Sequence, residues 1–153
     1  FNGNEDVLDA FQTIGVPHYF VSGNHDEQVG LKQVLRRAEK SGITLLMNRM
    51  THYKELQIVG LNNMRADSDS FDIHAGSDSC TVEKVMQSLE SDPGRPLLVL
   101  HHRPEGIPYM AEAGTDLLLT GHTHAGQMFP FTLIAKWMFG YNKGLYRYSS
   151  HFW

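Results

Sequence analysis

The strongest constraint on the fold is a pattern that occurs three times: an apolar run followed at once by side chains that can bind metal. The runs are residues 19–21, 97–100 and 117–119, and they lead into Gly-Asn-His-Asp, His-His-Arg-Pro and Gly-His-Thr-His-Ala-Gly-Gln. A short apolar run bounded by turn residues is typical of a buried strand. Open α/β sheets build their sites beyond the carboxyl ends of strands, where separate loops converge. The pattern therefore predicts one site assembled from three loops.

The remaining sequence alternates between helical and extended patterns. Apolar spacing predicts helices over residues 4–14, 27–40 and 81–90 and a short helix between 100 and 117, while β-prone runs predict strands over 43–46 and 56–61. The tail, residues 144–153, alternates in polarity and predicts a last strand, whereas residues 65–79 are rich in Asp, Ser and Gly and predict a loop. Strands that alternate with helices indicate an α/β domain.

Composition excludes several classes of protein and draws attention to histidine. The 13 Lys and Arg against 17 Asp and Glu leave a net charge of −4, so we predict no nucleic-acid-binding patch. Cys80 is the one cysteine of the chain and cannot form an internal disulfide. The chain has nine histidines, and histidine is the commonest metal ligand, which points to a metal site.

The longest apolar stretch that could be a membrane span is residues 128–139. Pro130 and Lys136 interrupt it, and a span needs about 20 apolar residues, so we expect it not to cross a bilayer. We expect a lid or loop that packs on the core, and a surface that rests on a membrane is the alternative.

Four side chains of the three loops are candidate metal ligands: Asn24, His102, His122 and His124. Imidazole nitrogens with one amide oxygen suit zinc, iron or manganese. Each motif alone also fits a turn or a surface histidine, but the three at strand ends favour a metal site.

Together, these motifs resemble those of the calcineurin-like metallophosphoesterases, over residues 19 to 127. The following segment resembles a subgroup that contains bacterial phosphoesterases and eukaryotic relatives with N-terminal membrane segments. The resemblance implies an αββα sandwich with mixed β-sheets. It also implies hydrolysis of a phosphodiester or phosphomonoester by a water that two divalent ions, Mn, Fe or Zn, activate.

The resemblance also implies a role for each candidate ligand. Asn24 and His122 would bind the second metal, and His124 the first. The remaining ligand is His101 or His102, and we choose His102 because a proline often follows two residues after this ligand in the subgroup, as Pro104 does here. His101 would then lie behind the ligands or in the core.

Two catalytic residues follow from the same resemblance. His25 would lie over the substrate phosphate, where it stabilises charge or protonates the leaving group, and Asp26 would orient its ring. For Arg103, beside the proposed ligand, we expect an exposed side chain rather than a phosphate contact.

The sequence departs from the family's pattern before Asn24. The Asp-x-His and Gly-Asp-x-x-Asp motifs should come first, but the acids there are Glu5, Asp6 and Asp9, on a predicted helix. We therefore expect residues 1–153 to be one truncated domain that lacks N-terminal strands and a C-terminal strand, and to be inactive or very weak alone. The alternative is a catalytically inactive scaffold of the same fold that is used for binding.

The sequence indicates only the broad class of the substrate. The resemblance implies a phosphate ester, and the subgroup's membrane segments together with residues 128–139 favour a lipid-linked or membrane-proximal phosphodiester as a hypothesis. The protein would be cytoplasmic, or membrane-associated through segments outside this chain. The sequence does not define an oligomeric state.

Other metal and nucleophile enzymes fit the sequence less well. A zinc β-lactamase-like hydrolase needs a further Asp and His after His124, and a histidine-triad protein needs histidine at position 126, where Gly126 stands. A serine hydrolase would need a Gly-x-Ser-x-Gly motif, which the sequence lacks, and Cys80 has no neighbour that would activate it.

Overall fold

The computed structural model describes residues 10–70, 75–76, 80–124 and 141–153. Within these ranges the chain folds into strands and helices that alternate along the sequence. The strands are β1 (Tyr19–Phe20), β2 (Thr44–Leu45), β3 (Arg49–Tyr53), β4 (Leu56–Gly60), β5 (Leu97–Leu100) and β6 (Leu117–Leu119). The helices are α1 (Asn24–Val29), α2 (Leu31–Lys40), α3 (Val82–Ser88) and α4 (Ile107–Glu112).

The strands form two sheets. β1 and β2 pair in parallel, and a four-stranded sheet has the order β3-β4-β5-β6. β3 and β4 form an antiparallel hairpin, whereas β4, β5 and β6 run parallel. These mixed sheets confirm the predicted α/β class. Because parallel strands share one direction, the loops after β5 and β6 leave the sheet at the same edge.

The core lies between the four-stranded sheet and helices α3 and α4. β4 is buried along nearly its whole length, as expected for a strand covered on both faces. The fully or nearly fully buried apolar side chains of this cluster are Val59, Leu61, Met64, Val82, Val85, Met86, Leu97, Val99, Ile107, Met110 and Phe152. Phe152 joins the end of the chain to this core.

The two sheets approach each other closely at Gly60, the last residue of β4. A Cβ atom there would lie 2.6 Å from the carbonyl oxygen of Leu46 and 2.8 Å from Cγ1 of Val21. Leu46 follows β2 and Val21 follows β1, so glycine allows the small sheet to pack against the end of β4. This contact brings the loop after β1 beside the loop after β5.

Most of the predicted elements are confirmed. The strands over 56–61, 97–100 and 117–119 are present with nearly the predicted bounds, and so is the short helix between 100 and 117. The helix predicted over 81–90 spans Val82–Ser88, and the hydroxyl of Thr81 caps it by accepting from Lys84 N at 3.3 Å. Residues 65–70 form a loop, as predicted.

Other predicted elements differ from the structure. The single helix predicted over 27–40 is two helices, because Gly30 has the left-handed φ of 103° and separates α1 from α2. The sequence does not predict strand β3, since four of its five residues are exposed or polar and it lacks an apolar run.

The tail is not the strand that its alternation predicts. The chain turns back on itself, because Tyr148 N donates to the carbonyl of Phe152 at 2.9 Å. Only Trp153 extends the sheet: its amide donates to Asp116 O at 2.9 Å and its carbonyl accepts from Leu118 N at 2.8 Å.

Two predicted segments lie partly or wholly outside the residues that the structure describes. Of the helix predicted over 4–14, residues 10–12 are helical and residues 4–9 lie outside the described residues. The apolar segment 128–139 also lies outside them. In the part of the chain that the structure describes, no helix has the length and apolarity that a membrane span requires.

A cluster of hydrogen bonds around Asp67 connects the loop after β4 to helix α4. One carboxylate oxygen of Asp67 accepts from Ser70 N and Ser70 Oγ, both at 2.8 Å, and from Asp69 N at 3.1 Å. The other accepts from the hydroxyl of Tyr109 at 2.8 Å. The Tyr109 hydroxyl, with Ser70, holds the pKa of Asp67 below its usual value, and the carboxylate in turn raises the pKa of Tyr109 to about 12.

Titration of Tyr109 tests this contact. Because its pKa is raised in the folded state, the contact stabilises the fold below about pH 10 and is lost as the pH rises to about 12. In an absorbance titration, the difference between wild type and Tyr109→Phe should show one phenol that ionises near pH 12, with circular dichroism recording that the fold persists. Asp67→Asn should move that ionisation toward pH 10. A Tyr109 midpoint near pH 10 in the folded wild type would contradict the contact.

Candidate metal centre

Three loops bring a cluster of donor atoms together at the carboxyl ends of β1, β5 and β6. Asn24 begins α1, four residues after β1; His102 lies two residues after β5; His122 lies three after β6. The Nε2 atom of His102 is 2.9 Å from Asn24 Oδ1 and 3.2 Å from His122 Nδ1. The rings of His102 and His122 meet edge to face, with centroids 5.0 Å apart. Residues that are 78 and 20 positions apart in sequence thus share one point in space.

These contacts cannot all be ordinary hydrogen bonds. If His102 Nε2 carries a hydrogen, both Asn24 Oδ1 and His122 Nδ1 compete for it; if it does not, its lone pair faces the amide oxygen. A cation between the three atoms would satisfy every lone pair at once. Two donors that each lie about 2.1 Å from one ion are about 3.0–3.4 Å apart, close to the observed separations. The donor set therefore fits one borderline metal ion.

The third donor of this set is an amide. Among the residues that the structure describes, no group of three His, Cys, Asp or Glu side chains converges closely enough to hold a metal. Asn24 supplies the additional oxygen, and with His102 and His122 it makes a set of three. Amide oxygens are accepted ligands, although carboxylates are stronger ones.

The adjacent histidines His101 and His102 have opposite surroundings. His101 is 1% exposed, and its amide donates to Leu119 O at 3.1 Å. Burial, with a smaller effect of Arg103, lowers the pKa of His101 to about 3, so the ring is neutral. His102 is the one of the two that faces the cluster.

Burial also lowers the pKa of His102, although the charge of Asp26 opposes this effect. Arg103, His124 and His25 lie close enough for their charges to lower it further. A neutral imidazole is the form that coordinates a metal, so the environment of His102 favours coordination over protonation.

The backbone of the His102 loop is fixed by the loop that follows β6. The His102 carbonyl accepts from Gly121 N at 3.0 Å and from Thr120 Oγ1 at 3.3 Å. On its other side, the ring lies against Gly23: a Cβ there would be 2.9 Å from Nδ1 and Cε1 of His102. A side chain at position 23 would therefore collide with the His102 ring where it now lies.

The loop after β6 holds two histidines in an unusual backbone conformation. His122 has φ 69° and His124 has φ 50°, both in the left-handed region that costs a non-glycine residue roughly 1–2 kcal/mol. Such strain persists only where surrounding contacts impose it, and it is concentrated at functional sites. His122 is half-buried in the cluster, whereas His124 is exposed and stands beside it.

The two predicted catalytic residues lie on the first turn of α1. His25 is exposed. One carboxylate oxygen of Asp26 accepts from Gly23 N at 2.8 Å, so the side chain stabilises the turn that presents Asn24. The structure therefore gives Asp26 a contact that the sequence did not predict. The suggestion that it orients His25 stays a prediction.

The expectation that Arg103 is exposed is wrong. Arg103 is 5% exposed, and its guanidinium pairs with Glu105 at 2.6 Å. The apolar run ends at Leu100, but His101 after it is still buried, so the chain remains close to the core when it reaches Arg103. An acid two residues later was the available signal for this pair.

The sequence of the chain also matches a known protein family. The family model described as calcineurin-like phosphoesterase matches residues 2–126. The match covers most of the chain, and the chain therefore belongs to the calcineurin-like phosphoesterase family. No solved structure matches the chain.

Relatives in several organisms carry corresponding names. An uncharacterized metallophosphoesterase of Helicobacter pylori is 30% identical over 132 residues, which cover 86% of this chain and 34% of the relative. A transmembrane protein with metallophosphoesterase domain from Danio rerio is 31% identical, covering 87% and 31%. Phosphodiesterase YaeI of Escherichia coli is 30% identical, covering 84% and 44%. The chain spans between about a third and under a half of the length of these relatives.

The contact between Gly23 and His102 is testable with a matched pair of variants. Gly23→Ala should displace the His102 ring and weaken binding of Mn²⁺ to the full-length protein by about 10–100-fold, the usual cost of disturbing a ligand's support. In Gly121→Ala the new Cβ meets its nearest neighbour, His102 O, at an ordinary 3.9 Å, so affinity should stay within about twofold of wild type. Equal affinities for both variants, measured by chelator competition, would contradict the role of Gly23.

Proposed function

We propose that this protein hydrolyses a phosphate ester, either a phosphodiester or a phosphomonoester, with a water that two divalent metal ions activate. The observation that carries the proposal is the meeting of Asn24, His102 and His122 at a single point. Membership of the calcineurin-like phosphoesterase family supports the same reaction class. The ions would be Mn, Fe or Zn, given the nitrogen and oxygen donors.

The chain's own residues divide into two ligand groups in this proposal. Asn24, His102 and His122 would hold one ion, because their donor atoms already lie at separations suited to a shared metal. His124 would bind the other ion, together with groups from outside residues 1–153. The two ions supply, when bound, neutralisation of the phosphoryl oxygens and a lower pKa for the attacking water.

His25 would act on the substrate rather than on a metal. It is exposed on the first turn of α1, next to Asn24, where a phosphate could reach it. There its ring would stabilise charge on the phosphoryl group or give a proton to the leaving oxygen. Asp26 would hold the turn through Gly23 N and contribute negative charge beside the imidazole.

Residues 1–153 are proposed to be only part of the catalytic unit. The Asp-x-His and Gly-Asp-x-x-Asp motifs that the family places before Gly-Asn-His-Asp do not occur before Asn24. Without a carboxylate to bridge the two ions, this piece alone should be inactive or very weak. The relatives are about two to three times as long as the matched region, which leaves room for these motifs in the whole protein.

A lipid-linked or membrane-proximal phosphodiester is the proposed substrate class. Support comes from the apolar residues 128–139 and from a relative in Danio rerio that is named as a transmembrane protein. The scaffold alternative has less support, because a binding scaffold has no chemical need for three converging metal donors.

Replacement of one proposed ligand tests the function. In the full-length protein, His102→Ala should lower both the bound metal and the metal-dependent turnover of bis(p-nitrophenyl) phosphate. The loss should exceed the roughly 10–100-fold that follows removal of a ligand's support. His52→Ala, which changes an exposed histidine of β3, is the matched control and should behave as wild type.

Two results would contradict the proposal. One is a His102→Ala protein with unchanged metal content and turnover. The other is a wild-type protein that binds no divalent metal and hydrolyses nothing, which would favour the scaffold.

A further inference from the structure

The C-terminal segment, residues 141–153, contacts the loop that carries the two strained histidines. Thr123 lies between His122 and His124, and its hydroxyl donates to the carbonyl of Asn142 at 2.8 Å. Thr123 N also donates to Gly121 O at 2.9 Å, which tightens the loop from within. The Thr123 side chain thus connects the candidate ligand loop to residues 141–153.

The receiving carbonyl belongs to a turn that a tyrosine hydroxyl organises. Tyr146 donates to Lys143 O at 3.0 Å and accepts from Lys143 N and Asn142 N at 3.3 and 3.4 Å. The ring of Tyr146 packs edge to face on Tyr141, with centroids 5.3 Å apart. The hydroxyl of Tyr146 therefore fixes the backbone on which Thr123 depends.

The far end of the segment is anchored in the sheet and the core. Phe152 is 2% exposed within the main apolar cluster. Trp153 pairs with the backbone of Asp116 and Leu118 at β6. Residues 141–153 are thus fixed at β6 on one side and contact the loop after β6 on the other, which makes them a brace across that loop.

We infer that residues 141–153 are a positioning element for the metal centre, acting through the hydroxyls of Thr123 and Tyr146. The brace holds Thr123 in place, and Thr123 holds His122 and His124 in their left-handed conformations. Neither hydroxyl contacts Asn24, His102 or His122 through the hydrogen bonds described, so both are positioning groups rather than ligands. This inference rests on the proposed function, because it assigns the brace to the same metal ligands.

Isosteric substitution of Thr123 separates positioning from general stability. In the full-length protein, Thr123→Val keeps the shape and removes the hydroxyl, and it should weaken Mn²⁺ binding by about 10–100-fold. Thr123→Ser restores the hydroxyl and should restore affinity to within about twofold of wild type. Tyr146→Phe should weaken binding as well. Tyr148→Phe is the matched control, because Tyr148 packs its ring on Phe152 and its hydroxyl bonds to no other described residue.

A metal-free measurement distinguishes failure of the brace from failure of the proposed function. Backbone couplings of isotopically labelled His122 and His124 report φ without metal, and Thr123→Val should shift both away from the left-handed values. Unchanged couplings and unchanged Mn²⁺ affinity in Thr123→Val would overturn the inference, and so would failure of Thr123→Ser to restore them. A shift in the couplings with no Mn²⁺ binding by wild type would keep the brace and overturn the proposed metal site.

Discussion

The close approach of the two sheets at Gly60 is the constraint on which the site depends. The four-stranded sheet alone brings the loops after β5 and β6 to one edge, which places His102 beside His122. Asn24 follows a strand of the other sheet, and it reaches His102 only because β4 ends where Leu46 and Val21 pack against it. Gly60, which has no side chain, therefore allows the packing that brings the third donor, Asn24, toward the other two.

Contacts within the protein itself hold the candidate ligand His102 in place. The ring of His102 is held on one side by Gly23 and its backbone on the other by Gly121 and Thr120. Burial lowers the pKa of this ring, which favours the neutral form that coordinates a metal. Preorganisation of this kind matters for phosphoryl transfer, in which positioning and electrostatic stabilisation supply most of the catalysis. The left-handed backbone conformations of His122 and His124 lower the stability of the fold at this point.

The sequence predicts the parts of the fold that depend on local pattern. Continuous apolar runs identify β4, β5 and β6, because strands buried on both faces need apolar side chains throughout. The sequence does not predict β3, because this strand lies at the edge of the sheet and its residues are mostly exposed or polar. The division between α1 and α2 depends on the φ of a single glycine, which apolar spacing does not report.

The convergence of the three loops can be predicted from the sequence, whereas several contacts that support them cannot. The three motifs name Asn24, His102 and His122, because side chains after parallel strands share one edge. Local sequence cannot show that Gly23 supports the His102 ring, that Arg103 is buried, or that Thr123 is tied to Asn142. The first and the last of these contacts join residues distant in sequence, and the burial of Arg103 depends on how deeply the strand end lies in the core.

The location of a bound ion is the most direct test of whether Asn24, His102 and His122 form a metal centre. Crystals of the full-length protein grown with Mn²⁺ or Zn²⁺, measured at the absorption edge of the metal, would locate the ion by its anomalous signal. An ion about 2.0–2.3 Å from Asn24 Oδ1, His102 Nε2 and His122 Nδ1 is the expected result. An ion held by His101, or one bound elsewhere while these three side chains keep their mutual contacts, would contradict it.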